Sequence, residues 1–313
     1  MGEALTAAPV AAAQSSGPGS GLGLSLQGLS ARHPAARVAA GGGVAGPKVA
    51  PALQPLSLQV QPGEQLAVIG PSGAGKTTLM HALACALPAA DGQLLIHGQD
   101  PWQLREAARQ RLRGRLFLAP QTPPLPPRQR VVTAVLAARL PQMSLWASVA
   151  SLLRPRDAAL AHAALCAFDL GDKLWDRVDR LSGGERQRVG LARALVSGAG
   201  LWLVDEPLSA LDPTRAAQAI STLTQAAHER GVTLLATLHQ VDMALARFPR
   251  IVGLRDGRLV FDLPAHQVTR ERLQALYAQH EHELSGVGGP ADGGIGTGDL
   301  VPAPPPSPTV LRC

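Results

Sequence analysis

Gly70, Pro71, Ser72, Gly73, Ala74, Gly75, Lys76 and Thr77 set glycines, a lysine and a hydroxyl at a spacing suited to gripping phosphate, and Thr78 follows them. Glycines let the backbone wrap closely and aim its N–H groups at phosphate oxygens. A helix opening at that point adds its partial positive charge. The lysine reaches the β- and γ-phosphates, and the Thr77 hydroxyl is a ligand for Mg2+. A nucleoside triphosphate is the expected ligand. Further along, the apolar run Leu201-Trp202-Leu203-Val204 ends in two acids, Asp205 and Glu206. Asp205 suits a second Mg2+ contact, often through water, and Glu206 suits accepting a proton from an attacking water. GTPases read guanine with an Asn-Lys-x-Asp element, and this chain contains no asparagine, which excludes that class. Leu181-Ser182-Gly183-Gly184-Glu185 opens another helix. In isolation it reads as a Ser/Gly-rich helix start with N–H groups available to an anion, or simply as a capped terminus.

These residues need strands and helices to hold them. Gln65–Gly70 reads as a buried strand and Lys76–Leu87 as the helix that opens on the glycine loop. Leu56, Leu58 and Val60 alternate with polar neighbours, as in a half-exposed strand. Gln93–His97 and Arg115–Ala119 are predicted strands on either side of a helix at Leu104–Arg113. Leu201–Asp205, Val232–Thr237 and Ile251–Leu254 are further strands, separated by helices at 213–229 and 240–247. Asp256-Gly257 predicts a two-residue hairpin between Ile251–Arg255 and Arg258–Phe261. The middle, 131–197, reads as mainly helical, most clearly over Asp157–Phe168 and Glu185–Ser197. The expected class is therefore α/β, with a parallel core, an antiparallel flank and an inserted helical region.

Composition bounds the rest. Of 313 residues, 46% are hydrophobic and 17% charged, which excludes a wholly disordered chain. Residues 1–21 and 285–313 are rich in Ala, Gly, Ser and Pro and are expected to be tails without a core. Residues 22–284 are expected to form one folded unit, with Ala39–Pro47 a Gly-rich loop insert between two strands. Net charge is +6, yet the arginines are spread along the chain, so nucleic acid is not an expected partner. The most apolar long stretch, Val131–Leu153, is broken by Arg139 and Pro141, so no membrane-spanning helix is expected. The first residues lack the basic start and apolar run of a signal peptide. The three cysteines, Cys85, Cys166 and Cys313, include no pair at metal spacing.

The order of the glycine loop, the Ser182–Glu185 helix start and the Asp205–Glu206 pair closely resembles the ABC-transporter ATPase family, over nearly all of 22–284. The resemblance implies a P-loop NTPase cassette with a RecA-like parallel-sheet core, an antiparallel β flank and a helical subdomain at about 122–197. It implies that Gln121, in Ala119-Pro120-Gln121-Thr122, is the glutamine that ligates Mg2+ and water and senses pore subunits. It likewise makes Asp212 a D-loop residue and His239 the switch histidine on the γ-phosphate. Ser182, Gly183, Gly184 and Glu185 would be the signature that completes a second copy's nucleotide site, in a homodimer. The closing motion would pass to separate integral-membrane permease subunits docked near Gln121 and 122–170. A periplasmic substrate-binding protein would take part indirectly, and the cassette would sit at the cytoplasmic face of the bacterial inner membrane.

Thr237-Leu-His-Gln-Val-Asp242, Arg250–Phe261, and Val135–Arg139 running on to Leu145-Trp146 and Ser151–Leu153 are similar to the ATP-binding subunits of phosphonate-type importers. That likeness implies import of phosphonates, with phosphite or related phosphorus oxyanions also compatible. An importer for another substrate, and a soluble ATPase of this family acting on nucleic acid or ribosomes, remain as alternatives. The chain departs from the family pattern at three places. Glu185 stands where glutamine is common, and Thr237 where serine is common. His33 stands where a tyrosine usually stacks on adenine.

Overall fold

Leu66, Ala67, Val68 and Ile69 form an unbroken apolar run, and so do Leu201–Val204 and Leu234–Ala236. Strands of that kind are stable only when both sheet faces are covered. The computed structural model describes residues 21–32, 51–143, 146, 148 and 157–278. The expected tails, the 39–47 insert, His33, and Leu145 and Ser151–Leu153 lie outside the described residues, apart from Gly21.

In chain order the strands are β1 (Leu24–Ala31), β2 (Leu53–Val60), β3 (Gln65–Ile69), β4 (Asp91–Ile96), β5 (Leu116–Ala119), β6 (Leu201–Asp205), β7 (Thr233–Thr237), β8 (Arg250–Arg255) and β9 (Arg258–Pro264). The α-helices are α1 (Lys76–Leu83), α2 (Glu106–Arg113), α3 (Val131–Leu136), α4 (Ala158–Cys166), α5 (Gly183–Val196), α6 (Pro213–Glu229), α7 (Val241–Arg247) and α8 (Arg270–Tyr277). One sheet has the order β5-β6-β7-β3-β8-β9, parallel except for the β8–β9 hairpin. A second, antiparallel sheet has the order β2-β1-β4.

Alternation along the buried strands divides the core in two. Leu66, Val68, Leu201, Leu203, Leu235, Val252 and Leu254 pack with α1 and the antiparallel sheet. Ala67, Ile69, Trp202, Val204, Leu234 and Ala236 face the opposite way, onto residues of α3, α5 and α6. The helix that follows the glycine loop is thus sandwiched between two sheets, which fixes where its N-terminus points.

Local differences from the sequence expectations have physical causes. α1 stops at Leu83 instead of Leu87 because Cys85 takes a left-handed φ of 55°. The N–H groups of Ala86 and Leu87 then both donate to the His81 carbonyl, at 2.9 and 3.2 Å. The Asp256-Gly257 turn has φ of 51° and 73°, both positive, as a two-residue hairpin of twisted strands requires. α8 was not predicted. Its signal is Thr269, whose hydroxyl accepts from the Arg272 N–H, ahead of buried Leu273, Leu276 and Tyr277.

Arg250, at the start of β8, joins the two sheets. Its Nε and Nη2 hold both Asp262 oxygens at 2.7 and 2.6 Å, while Nη1 donates to Glu64 Oε1 at 2.7 Å and the Gln59 carbonyl at 2.9 Å. Both carboxylates, led by Asp262, raise the guanidinium pKa further, so it is charged at every working pH. Arg250→Ala leaves two partly buried carboxylates and a carbonyl without this donor. The expected loss is about 2 kcal/mol, read as a lower urea midpoint with an unchanged slope.

Candidate functional site

Every strand of a parallel set ends at the same edge, so whatever follows those strands is gathered there. β5, β6, β7 and β3 are consecutive neighbours in the sheet. Gln121 follows β5, Asp205 and Glu206 close β6, His239 follows β7, and the glycine loop follows β3. The topology alone therefore collects four segments that are far apart in sequence.

The loop from Gly70 to Gly75 leads directly into α1, whose N-cap is Gly75 at φ 99°. A Cβ on Gly70 would lie 1.9 Å from the Leu254 carbonyl oxygen, and one on Gly75 would lie 2.7 Å from that of Ala52. Pro71, Ala74, Lys76 and Thr78 are buried, while Ser72, Gly73 and Thr77 are exposed. The Lys76 ammonium lies inside the loop and donates to the carbonyls of Gly70 at 2.7 Å and Pro71 at 3.1 Å. The hairpin turn braces the loop from behind. Gly257 N–H donates to the Ala74 carbonyl at 3.0 Å, and Gln54 N–H donates to the Gly257 carbonyl at 2.9 Å. Arg258 Nε holds the Gln54 side-chain oxygen at 2.7 Å. The sequence predicts the turn but gives no sign that it backs the phosphate loop, because that contact joins β8 to residues far upstream.

The acidic pair occupies two different environments. Asp205 is buried, 2% exposed, and its Oδ1 accepts the Thr237 hydroxyl at 2.6 Å. Glu206 has φ 47°, an uncommon left-handed conformation for a side chain of its size. Its N–H donates to Thr237 Oγ1 at 2.9 Å. Its carboxylate is held between two groups, His239 Nε2 at 2.5 Å from Oε1 and Gln121 Nε2 at 2.6 Å from Oε2. The His239 hydrogen bond is the main cause that holds the Glu206 carboxyl below the usual carboxylate range; Lys76 and Gln121 add to it, and burial opposes it. An ionised carboxylate only accepts, so the histidine nitrogen and the amide are the donors. Each carboxylate oxygen keeps a lone pair for a water molecule. Gln121, Glu206 and His239, expected to act together, are thus in contact.

The sequence marks Thr237 as a strand end, as the start of the 237–242 string and as a departure from serine, and none of these assigns it a contact with the acids. Its contact with both acids depends on strand register, Asp205 being paired with Thr237 across β6 and β7.

Ser182 to Glu185 form the N-terminus of α5. The Ser182 hydroxyl accepts from the Glu185 N–H at 3.2 Å, and the Glu185 carboxylate accepts from the Ser182 N–H at 2.7 Å, a reciprocal capping box. The Ser182 N–H bond is the first cause that lowers the Glu185 pKa. Glu185 therefore orders the helix start, a task its carboxylate performs as well as the commoner amide. A Cβ on Gly184 would come within 2.9 Å of the Ala210 carbonyl, so the segment before Asp212 packs against this helix start. Asp212 itself caps α6, its Oδ1 accepting from Arg215 N–H at 3.0 Å. Ser182, Gly183 and Asp212 are exposed. His33 lies outside the described residues.

Thr77, Gln121 and Asp205 are the residues expected to hold Mg2+. A hydroxyl, an amide oxygen and a carboxylate are the hard oxygen ligands this ion prefers. Asp205 is buried at the end of β6, and Thr77 is exposed in the first turn of α1. Among the described residues there is no cluster of three or more His, Cys, Asp or Glu side chains able to cage a metal. One carboxylate beside a hydroxyl and an amide oxygen suits an ion that is also held by substrate phosphates.

A family model described as ABC transporter matches residues 53–209. The phosphonates import ATP-binding protein PhnC 2 of Albidiferax ferrireducens is 64% identical over 290 residues, covering 93% of this chain and 99% of that one. The phosphonates import ATP-binding protein PhnC of a Polaromonas species is 63% identical over 292 residues, covering 93% and 100%. PhnC 2 of Pseudomonas aeruginosa, named likewise, is 55% identical over 230 residues, covering 74% and 86%. Among solved structures, a dimeric post-hydrolysis ATP-binding cassette bound to ADP and Pi superposes with a TM-score of 0.64 at 24% identity, covering 77% of this chain and 98% of that chain. CbiO1 of Clostridium perfringens, part of an ABC transporter complex, gives 0.63 at 18% identity, with 84% and 97% covered. These structures share the cassette fold. The family match spans the phosphate loop, the Ser182–Glu185 helix start and both acids, and the first two relatives align almost end to end; this chain belongs to the ABC transporter family, as one of its ATP-binding cassettes.

Proposed function

We propose that this chain is the ATP-hydrolysing subunit that powers phosphonate import through a separate membrane permease. The observation that carries the catalytic part is the Glu206 carboxylate, fixed between His239 and Gln121 at the strand edge where the phosphate loop opens. The substrate class rests on the relatives named for phosphonate import, which match at up to 64% identity. The working unit is residues 22–284, with a helical subdomain at about 122–197.

The loop N–H groups and Lys76 bind the phosphates and stabilise charge on the transferring group. Mg2+, held by Thr77, Gln121 and Asp205, would neutralise phosphate oxygens. Glu206 accepts a proton from water as that water's oxygen bonds the γ-phosphorus. The bond to the β-phosphate oxygen breaks, giving ADP and phosphate. His239 and Gln121 hold the carboxylate in place, and contact with the γ-phosphate is assigned to His239 as well.

The signature, Ser182 to Glu185, of which Ser182 and Gly183 are exposed, serves the nucleotide of a second copy, so the working form is a homodimer with two shared sites. ATP closes that dimer because the second copy's groups meet the γ-phosphate only in the closed form. No helix among the described residues is long and apolar enough to cross a membrane. The pore is accordingly assigned to permease subunits, the capture of substrate to a periplasmic binding protein, and this chain to the cytoplasmic face of the bacterial inner membrane.

The test is growth of a deletion strain on a phosphonate, on phosphite or on phosphate as the sole phosphorus source. Complementation by wild type is expected to restore growth on the phosphonate, and complementation by Glu206→Gln is not. Growth of the deletion strain that is unchanged on all three sources would overturn the substrate assignment and leave the ATPase assignment in place.

A further inference from the structure

The two acids at the end of β6 have different jobs and share one neighbour. Thr237 is fully buried and sits directly across from Asp205 in the parallel β6–β7 pair. Its Oγ1 lies 2.6 Å from Asp205 Oδ1 and 2.9 Å from the Glu206 nitrogen. Neither contact leaves a choice of direction. A carboxylate oxygen only accepts and a backbone N–H only donates, so the hydroxyl must give its proton to Asp205 and receive one from Glu206. We propose that Thr237 is a positioning residue for ATP hydrolysis, whose single hydroxyl sets both the Asp205 carboxylate toward the metal and the Glu206 backbone toward water. The inference rests on the assignment of Asp205 to Mg2+ and of Glu206 to water.

The physical need is visible at each acid. With Oδ1 tied to Thr237, the Asp205 carboxylate loses its rotational freedom and keeps Oδ2 for a ligand. Glu206 sits in the left-handed region at φ 47°, a conformation that persists only where neighbours enforce it. Its N–H bond to Thr237 is the backbone tie that does so, and the side chain then reaches both His239 and Gln121. Serine offers the same donor and acceptor. Valine has the same shape and offers neither, leaving a part-buried N–H without its partner.

The test uses the full chain as wild type, Thr237→Ser, Thr237→Val and Thr237→Ala. Mn2+ stands in for Mg2+, and its binding to the ATP-loaded protein is titrated by electron paramagnetic resonance. ATP binding in EDTA, steady-state kcat and KM, and thermal melting are measured beside it. Thr237→Val is expected to weaken Mn2+ binding about tenfold and lower kcat about tenfold to a hundredfold. Metal-free ATP binding should stay within about twofold, and Thr237→Ser should restore both quantities to within about twofold of wild type. Thr237→Ala removes the hydroxyl without a methyl beside the carboxylate and should follow the valine variant.

Wild-type Mn2+ affinity and kcat in a folded Thr237→Val or Thr237→Ala chain would overturn the proposal. So would loss of metal-free ATP binding in step with metal binding, or failure of both variants to fold, since each marks a structural role alone. A wild-type chain that takes up no Mn2+ with ATP would instead overturn the metal assignment on which the proposal stands.

Discussion

Glu206→Gln is expected to bind ATP within a few-fold of wild type and to turn it over about 10²–10⁴ times more slowly, the usual contribution of a general base. The substitution keeps the size of the side chain and removes its capacity to take a proton. It also disturbs the clamp. The carboxylate accepts from His239 on one oxygen and from Gln121 on the other. An amide offers one oxygen and one NH2, so one of the two donors faces another donor unless the Gln121 amide turns over. Lys76 and the loop, to which phosphate binding is assigned, keep their own hydrogen bonds to one another, which is why binding should survive. Phosphate release at saturating MgATP and equilibrium ATP binding separate the two effects. A further readout is assembly, because a nucleotide that is bound and not hydrolysed should hold two copies closed. Size-exclusion chromatography with ATP is expected to move the variant from monomer toward dimer. Turnover within tenfold of wild type would remove Glu206 from the role of base and leave His239 or the substrate itself to take the proton.

Much of this site was legible in the sequence because its chemistry is written in short local strings. The loop Gly70–Thr77 and the pair Asp205–Glu206 each follow an apolar run, so strand, turn and function are readable together. The α6 helix fell where expected, at 213–229, since Asp212 and Pro213 punctuate its start. What the sequence could not give is register. The contact of Thr237 with Asp205 arises from which residue of β7 lies opposite which residue of β6, and periodicity carries no such information. The same holds for Gly257 behind the phosphate loop, and for Ala210 against Gly184. Those are contacts between segments brought together by sheet order. Helix ends were also misjudged where a non-glycine residue turned left-handed, as Cys85 does after α1. Burial pushes that thiol up to about 11, so it is an unreactive part of the core and not a sequence signal for chemistry. Glu185 is the converse case. It looked like a departure, and the capping box gives it a local task that either residue type can perform.

The loop glycines separate two reasons for glycine that sequence cannot distinguish. Gly70 has φ 154° and a built Cβ would lie 1.9 Å from the Leu254 carbonyl oxygen; Gly73 has φ 79° and a built Cβ would meet nothing within 4 Å. Leu254 cannot give way cheaply. It belongs to β8, which is paired with β3 on one side and β9 on the other, with Leu254 opposite Leu259. Gly70→Ala must therefore push apart the strand that launches the loop and the strand beside it. The expected cost is about 3 kcal/mol, the upper end for forced overpacking, with ATP affinity reduced about a hundredfold as the loop shifts. Gly73→Ala bears only the left-handed backbone penalty of about 1–2 kcal/mol and should keep the fold. Urea midpoints at constant slope give the stability of each variant, and equilibrium ATP titration gives the affinity. Equal destabilisation by the two substitutions would mean that backbone conformation alone demands glycine here. A larger loss for Gly70→Ala would locate the constraint in the contact between the phosphate loop and β8.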